Sequence, residues 1–201
     1  MADAATAEYI LHGDPISGNS YKILLTASLL SIPLEYRKYN TLKRETRTPA
    51  FLKSNAICYY LADTTKSDNS LIPSDPLLRA TMLNWMFFEQ NQHEVNVATL
   101  RFWLTVLGED KLSEAQKAQI DSKRELGAQA LSYMNDHLAK KSFSGGWLVG
   151  DSVTLADICL FAYTHRANEA GFDLARWPAI QAWLRRVTEL EGYVPMDVTP
   201  A

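Results

Sequence analysis

In the first part of the chain, the spacing of apolar residues changes from that of a strand to that of a helix and back again. Residues 9–12 form a short β-prone run, closed by a Gly-Asp-Pro turn signal at 13–15. Residues 19–31 carry apolar side chains at helical spacing, and Pro33 ends that pattern. Residues 34–39 alternate apolar and charged side chains, which is typical of a strand. This order predicts two parallel strands joined by a right-handed helical crossover.

The rest of the chain is predominantly helical in its pattern. A short helix with proline in its first turn is predicted at 48–52, and an apolar helix at 55–61. The stretch 64–76 is polar and contains paired prolines, which indicates a linker. We therefore predict a small α/β domain at 1–65, a linker at 66–76 and an all-helical domain at 77–201. Within the last domain, helices are predicted at 77–107, 113–140, 158–163 and 177–190.

Two of the predicted helices open with a capping box, in which a hydroxyl residue precedes Gln or Asp by three positions. Ser113 is followed by Gln116, and Thr154 is followed by Asp157. A carboxylate at the third helical position bonds the backbone of the cap and stabilises the helix start by roughly 1 kcal/mol. We therefore predict that Asp157 serves folding and takes no part in catalysis.

Composition narrows the classes of function. Of the 201 residues 47% are hydrophobic and 21% charged, with a net charge of -3, which argues against a broad nucleic-acid surface. No apolar run approaches membrane-span length, and the N-terminus does not look like a signal peptide, so a cytoplasmic protein is expected. Cys58 and Cys159 sit in apolar stretches, which favours buried free thiols over a disulfide or redox pair. The four histidines and two cysteines lack metal-ligand spacing, so no metal site is predicted.

Five motifs, in order along the chain, carry a resemblance to a known family. They are the loop Gly13–Lys22, Ser54-Asn55-Ala56-Ile57, Trp85–Gln90, Gly150–Asp157 and Trp177–Trp183. The set resembles the cytosolic glutathione transferases, and the loop is most similar to bacterial members that use serine or asparagine in place of tyrosine. The resemblance implies a thioredoxin-like N-terminal domain, an all-α helical-bundle C-terminal domain, glutathione as co-substrate and a homodimer.

The resemblance places thiolate chemistry at the first loop. A free thiol has a pKa of about 8.5, so an enzyme must stabilise the anion with hydrogen-bond donors or a helix N-terminus. By position in the loop, Ser17 is the candidate catalytic residue, with Asn19 as principal or helper donor. Tyr21 is a weaker candidate, because it falls inside the helix. The structural alternatives are a turn serine and an N-cap asparagine.

The second family motif is expected to hold the γ-glutamyl end of glutathione. Ser54 would bind the γ-glutamyl carboxylate at the start of a helix, and Asn55 is grouped with it as glutathione-binding. The alternative for Ser54 is a helix cap alone. Lys53 stands where similar proteins carry an acidic residue that meets the γ-glutamyl amine, and a cation there would repel that amine.

A segment found in similar proteins has no counterpart between Lys53 and Ser54. There the family has a loop, a cis-proline and a β-hairpin, which together amount to roughly 15–20 residues. Three explanations stay open: the segment exists but is missing from this sequence, it is a real deletion, or the family pattern does not apply at this point. Without it the sheet has two strands, which rarely suffices alone.

The resemblance assigns the electrophile pocket to the first helix of the second domain. Met86, Phe87, Gln90 and His93 are the candidates for holding a small apolar co-substrate. The alternative is that the apolar ones belong to the core. The leading hypothesis is conjugation of the glutathione thiolate to small apolar electrophiles. The alternatives are a non-catalytic binding or scaffolding protein, or isomerisation, peroxide reduction or ether cleavage on the same site.

Overall fold

The structure, a computed structural model, describes residues 9–43, 45, 54–65, 71–141 and 146–198. These residues form two compact units. The first contains the described residues up to Ile72 together with those from Thr188 onward, and the second contains the described residues of Pro73–Val187. A small sheet with helices in the first unit and an all-helical second unit confirm the predicted fold class. The domain boundaries given above stay a prediction.

The first unit contains the predicted strand, helix and strand. Strand β1 is Tyr9–Gly13, helix α1 is Gly18–Leu29 and strand β2 is Leu34–Lys38. The two strands are parallel, with Tyr9 opposite Leu34 at one end of the register and Gly13 opposite Lys38 at the other. The prediction of a parallel pair with a helical crossover is therefore confirmed.

Helix α2, Ser54–Thr64, packs against α1. It extends beyond the predicted 55–61, and Leu25 of α1 and Cys58 of α2 are fully buried. Among the described residues the sheet has two strands and there is no cis peptide bond. The helix predicted at 48–52 lies outside the described residues, and the loss of a hairpin segment before Ser54 stays a prediction.

A segment from the far end of the sequence completes the first unit. The Tyr21 hydroxyl donates to the Val194 carbonyl at 2.8 Å, and the Ser28 hydroxyl donates to the Gly192 carbonyl at 2.7 Å. Gly192 has φ +82°, and a Cβ there would lie 3.0 Å from the Ser28 carbonyl oxygen, so glycine is required. Met196 is buried in the same unit. Residues 188–198 thus pack against α1, which the sequence did not indicate.

Every regular element among the described residues of the second unit is a helix. Asp75 caps its first helix by accepting from the N–H groups of Leu77 and Leu78, both at 2.9 Å. Cys159 and Cys58 of the first unit are both fully buried, which confirms the prediction of buried thiols, and the structure joins neither in a disulfide. The α-helices are α3 (Pro76–Phe88), α4 (Thr99–Arg101), α5 (Glu114–Lys117), α6 (Ile120–Lys141), α7 (Leu155–Thr164) and α8 (Pro178–Thr188).

The helix predicted at 77–107 is not a regular α-helix. After α3 the chain is π-helical over Glu89–Ala98 and again over Phe102–Gly108. Residues spaced by four, Glu89, His93 and Val97, are all fully buried. Residues spaced by four also share one face of an α-helix, so this burial does not depend on the wider turns. Sequence periodicity based on 3.6 residues per turn misses this change.

The helix predicted at 113–140 is divided in two. Its predicted capping box is present, with Ser113 and Gln116 bonding each other's backbone N–H groups. The chain tightens at residues 118–119, where the Gln119 N–H donates to the Gln116 carbonyl three residues back. Helix α6 begins at Ile120. The prediction of a single helix was therefore wrong, because a local i to i−3 hydrogen bond interrupts the i to i−4 hydrogen bonds of the α-helix.

The second predicted capping box forms the buried centre of the second unit. Asp157 accepts at Oδ2 from the Thr154 N–H at 2.9 Å and from its hydroxyl at 3.0 Å. At Oδ1 it accepts from the Leu148 N–H at 3.0 Å and from Trp183 Nε1 at 2.9 Å. Burial raises the pKa of the Asp157 carboxyl, while the bonds from Leu148, Trp183 and Thr154 lower it. One carboxylate therefore connects α7, α8 and the preceding loop.

Candidate functional site

The loop between β1 and α1 is held by a buried carboxylate. Asp14 is 5% exposed and accepts from the Ile16 N–H at 3.1 Å and from the Thr41 N–H at 2.6 Å. Its own N–H donates to the Ser20 hydroxyl at 3.1 Å. A Cβ on Gly13 would lie 2.7 Å from that hydroxyl oxygen, so the close approach needs glycine. These contacts fix the loop that carries the predicted catalytic residues.

Ser17 is the N-cap of α1. It has extended backbone angles, φ -87° and ψ 118°, and its hydroxyl oxygen accepts from the Ser20 N–H at 3.5 Å. The capping alternative considered above is thus present. The side chain is half-buried, and a hydroxyl that accepts one hydrogen bond keeps its own proton as a donor. Capping the helix and donating to a bound sulfur are therefore compatible.

Asn19 is the residue on which the hydrogen bonds of the site converge. Its Oδ1 accepts from Lys22 Nζ at 2.9 Å and from the Ser54 hydroxyl at 3.0 Å. Ser54 begins α2, so one side-chain oxygen joins the first turns of two helices. Asn19 and Ser54 are half-buried, which leaves them within reach of a ligand. The structure thus brings together two of the residues that the sequence assigned separately to sulfur and carboxylate binding.

The other predicted glutathione contacts are less defined. Asn55 follows Ser54 in the first turn of α2 and is half-buried. Lys53 lies outside the described residues. Two helix N-termini with hydroxyl and amide side chains provide positive partial charge and hydrogen-bond donors, which suits an anionic ligand.

Two tyrosines near the loop, Tyr21 and Tyr36, are held in place by burial or by hydrogen bonds within the protein. Tyr21, the weaker catalytic candidate, is 2% exposed, and its hydroxyl donates to the Val194 carbonyl. Burial, and secondly the negative charge of Asp14, raise the pKa of Tyr36 to about 12. Tyr36 therefore stays protonated across the neutral range. Both tyrosines line a small cavity together with Asp14 and Met196.

The four predicted electrophile-pocket residues point in different directions. Met86 and His93 are buried in the second unit, whereas Phe87 and Gln90 are exposed. His93 Nε2 lies 3.0 Å from the Thr164 hydroxyl, which donates to the Leu160 carbonyl at 2.7 Å. Gln90 Nε2 donates to the carboxylates of Glu89 and Glu94, at 2.7 Å each. The joint role assigned to these four residues stays a prediction.

A groove of about 430 Å³ lies between α3 and α6 of the second unit. Phe87, 64% exposed, lines it, as do the ring edges of Trp85, Phe88 and Tyr133, which contact one another. Its remaining lining residues are Asn84, Asn91, Gln92, Leu126, Gln129 and Ala130. Phe87 is thus the one predicted pocket residue that meets this described groove.

Lys22 is the residue at the site that the sequence reasoning missed. It is fully buried within α1, although lysine is almost never fully buried. A usable signal was present, since Lys22 stands three positions after Asn19, where helical side chains meet, and is followed directly by Ile23-Leu24-Leu25.

Among the described residues, no group of three or more His, Cys, Asp or Glu side chains could hold a metal ion, and no helix has the length and apolarity to cross a membrane.

Comparison with known proteins identifies the family of this chain. Residues 117–186 match the C-terminal domain of glutathione S-transferases. A crystal structure of a glutathione S-transferase from Pseudomonas fluorescens is 38% identical, with a TM-score of 0.81, and the match covers 93% of this chain and 98% of that one. The chain belongs to the glutathione S-transferase family.

Two curated relatives show how varied the matching proteins are. The glutathione S-transferase-like protein LUC7 of a Fusarium species is 26% identical, over 87% of this chain and 86% of its own length. Elongation factor 1-gamma 1 of rice is 30% identical over 75% of this chain, but only 38% of its own length is matched. The family is therefore established, while the activity of this chain is a separate question.

Proposed function

We propose that this protein is a glutathione transferase that joins the sulfur of glutathione to small apolar electrophiles. The observation that carries the proposal is the contact between Ser54 and Asn19, which brings the starts of α1 and α2 together beside the Ser17 cap. Two helix N-termini at one place suit a tripeptide that carries carboxylates and becomes a thiolate when it reacts. Family membership supports glutathione as the co-substrate.

The proposed reaction begins with loss of the thiol proton to solvent. Ser17 and Asn19 donate to the sulfur and thereby favour its anionic form over the neutral thiol. The sulfur lone pair then forms a bond to an electrophilic carbon, and the electrons of the broken bond leave with the departing group or move onto the acceptor. The backbone N–H groups of Ser54 and Asn55, at the start of α2, hold the γ-glutamyl carboxylate, next to Lys53 in the sequence.

The test is to change Ser17 and Asn19 together to alanine and to titrate the thiol of bound glutathione by its thiolate absorbance in the ultraviolet. We expect wild-type protein to lower the thiol pKa, and the Ser17→Ala/Asn19→Ala variant to return it to about 8.5. A matched control is Ser122→Ala/Asn91→Ala, the same two changes at exposed positions of the second unit. An unchanged thiol pKa in the first variant would contradict the assignment.

The alternative is a non-catalytic protein that uses the same fold for binding or scaffolding. The similarity to elongation factor 1-gamma 1 favours this alternative, as does the cation at Lys53. The predicted loss of the hairpin segment before Ser54 would favour it too. Under it, the wild-type protein would bind glutathione weakly or not at all. The titration above therefore separates the two functions before any electrophile is chosen.

Family membership also leads us to propose a homodimer and a cytoplasmic location. A second copy of the chain would need an apolar surface, and the exposed side chains of Leu126 and Tyr133 supply one in the second unit. Met86, Phe87, Gln90 and His93 remain the proposed electrophile contacts. Among these, Phe87 has the exposure that an apolar substrate requires.

A further inference from the structure

A buried lysine stands directly behind the proposed sulfur-binding amide. Lys22 is 0% exposed, and its Nζ lies 2.9 Å from Oδ1 of Asn19. The hydroxyl of Ser54 donates to the same oxygen at 3.0 Å. Removing a lysine ammonium from water is costly, so a buried one is usually retained for a specific interaction.

The two donors determine which way the Asn19 amide faces. A lysine nitrogen carries only donors in its ammonium form, so the atom it contacts must be the oxygen of the amide. Two donors at one oxygen occupy both of its lone pairs. The nitrogen of the Asn19 amide therefore faces away from Lys22 and Ser54, and the amide cannot flip without losing the bond from Lys22, because an ammonium cannot accept from the amide nitrogen.

The same contacts strengthen the N–H groups of Asn19 as donors. Hydrogen bonds in a chain polarise one another, and a bond from a charged group is roughly twice as strong as a neutral one. A cation on the oxygen side draws electron density through the amide. The nitrogen side then gives more stabilisation to an anion than an asparagine in water would.

We propose that Lys22 is a positioning residue that orients and polarises Asn19 for the glutathione thiolate. This inference rests on the proposed function, since it assigns Lys22 a role in the same step. Lys22 acts through Asn19 and its positive charge, without touching the sulfur. This role accounts for the presence of a fully buried cation three residues after Asn19.

Other charged and titratable groups pack around this end of α1. Asp14, in the loop from β1, acts in the opposite sense, because its negative charge opposes a nearby thiolate. Tyr36 on β2 has a pKa of about 12 and stays neutral over the titration. Cys58 of α2 carries a thiol of its own, so it is replaced as Cys58→Ala in every protein of the experiment to keep the absorbance specific to glutathione.

The experiment is to change Lys22 to Met and measure the pKa of the thiol of bound glutathione by thiolate absorbance. Methionine fills most of the buried volume and removes both the charge and the donor. We expect the thiol pKa to rise by about one unit, which corresponds to about tenfold less thiolate below that pKa. Lys22→Arg, which keeps the cation, should restore part of the effect.

A glutathione analogue without a thiol separates positioning from damage to the pocket. S-methylglutathione binds without forming a thiolate, so Lys22→Met should leave its affinity unchanged. In an Asn19→Ala background the Lys22→Met change should no longer alter the thiol pKa, because Lys22 acts through that amide. If Lys22→Met does not fold, Lys22→Gln removes the charge while keeping a polar side chain, and the same rise is expected.

The outcomes separate a failure of the proposed function from a failure of the role inferred for Lys22. If wild-type protein does not lower the thiol pKa, the proposed function fails and the role of Lys22 falls with it. If wild-type protein lowers it and the neutral Lys22 variants lower it equally, only the inference about Lys22 is overturned. It is also overturned if S-methylglutathione affinity falls as steeply as thiolate formation, because Lys22 would then serve only to shape the pocket.

Discussion

Helices α1 and α7 both start at a polar side chain that gathers hydrogen bonds, yet the two starts differ in burial. At α7, Asp157 is 0% exposed and accepts four hydrogen bonds, from Thr154 twice, from Leu148 and from Trp183. At α1, Asn19 is half-buried and gathers two hydrogen bonds on a single oxygen. Complete burial makes the first a folding centre, and partial exposure leaves the second able to meet a ligand.

The difference teaches how to separate stability from function within one chain. A group enclosed by its donors affects the free energy of unfolding, because its loss leaves those donors buried and unsatisfied. A group that only partly loses contact with water affects binding more than folding. Changes at the start of α7 should therefore lower the free energy of unfolding more than they affect binding. Changes at the start of α1 should affect binding more than folding.

The largest effect is expected at Asp157. Changing it to Ala leaves the buried donors of Leu148, Thr154 and Trp183 without an acceptor and should lower the free energy of unfolding by about 4 kcal/mol. Urea unfolding followed by tryptophan fluorescence measures this, since all five tryptophans lie in the second unit. The glutathione thiol pKa per folded molecule should not change. Asp136→Ala, at an exposed position of α6, is the control and should cost little.

The second unit should also weaken on the acid side. Burial, opposed by the bond to the Phe161 carbonyl, lowers the pKa of His165 to about 4. An unfolded histidine takes up a proton near pH 6.5, so between pH 6.5 and 4 the unfolded state binds more protons and stability falls as pH drops. The loss should reach about 3 kcal/mol, seen by the same fluorescence.

Replacing His165 with Gln should remove most of that acid slope, whatever its effect on stability at neutral pH. His12→Gln, at an exposed position of β1, should leave the slope intact. An acid slope that survives in the His165 variant would mean that other groups control the acid sensitivity of the second unit.

The first unit should instead weaken on the alkaline side, and by less. Tyr36 has a pKa of about 12, against about 10 when unfolded, so the unfolded state loses its proton first. Stability should therefore fall between pH 10 and pH 12, by roughly 1 kcal/mol once solvent screening is allowed for. Circular dichroism in urea at both pH values measures the change.

Tyr36→Phe should flatten the alkaline slope, whereas Tyr60→Phe, at an exposed position of α2, should preserve it. Equal slopes in the two variants would show that burial of Tyr36 is not the cause. The acid and alkaline limits would then no longer divide between the two units.

Local patterns in the sequence predicted local structure well. The parallel strands, α1 and both capping boxes follow from periodicity and from residues at most a few positions apart. The family resemblance supplied Ser17, Asn19 and Ser54 as candidates, and the structure brings the last two within hydrogen-bond distance. Their roles in catalysis and binding are still proposals.

Contacts between distant parts of the sequence could not be predicted. Trp183 meets Asp157 across 26 positions, and Tyr21 meets Val194 across 173 positions. Neither partner carries a local pattern that names the other. The π-helical turns after α3 were missed for a different reason, because apolar spacing at 3.6 residues per turn does not distinguish an α-helix from a π-helix.

The return of residues 188–198 to α1 makes the first unit discontinuous along the chain. A ribosome makes β1, α1 and β2 early but makes Gly192 and Val194 only after the whole second unit. During translation the hydroxyl of Tyr21 therefore cannot bond the Val194 carbonyl until the whole second unit has been synthesised. The packing of the first unit is thus completed only after the second unit has been made, and fragments cut between the two units would lack a segment that bonds α1.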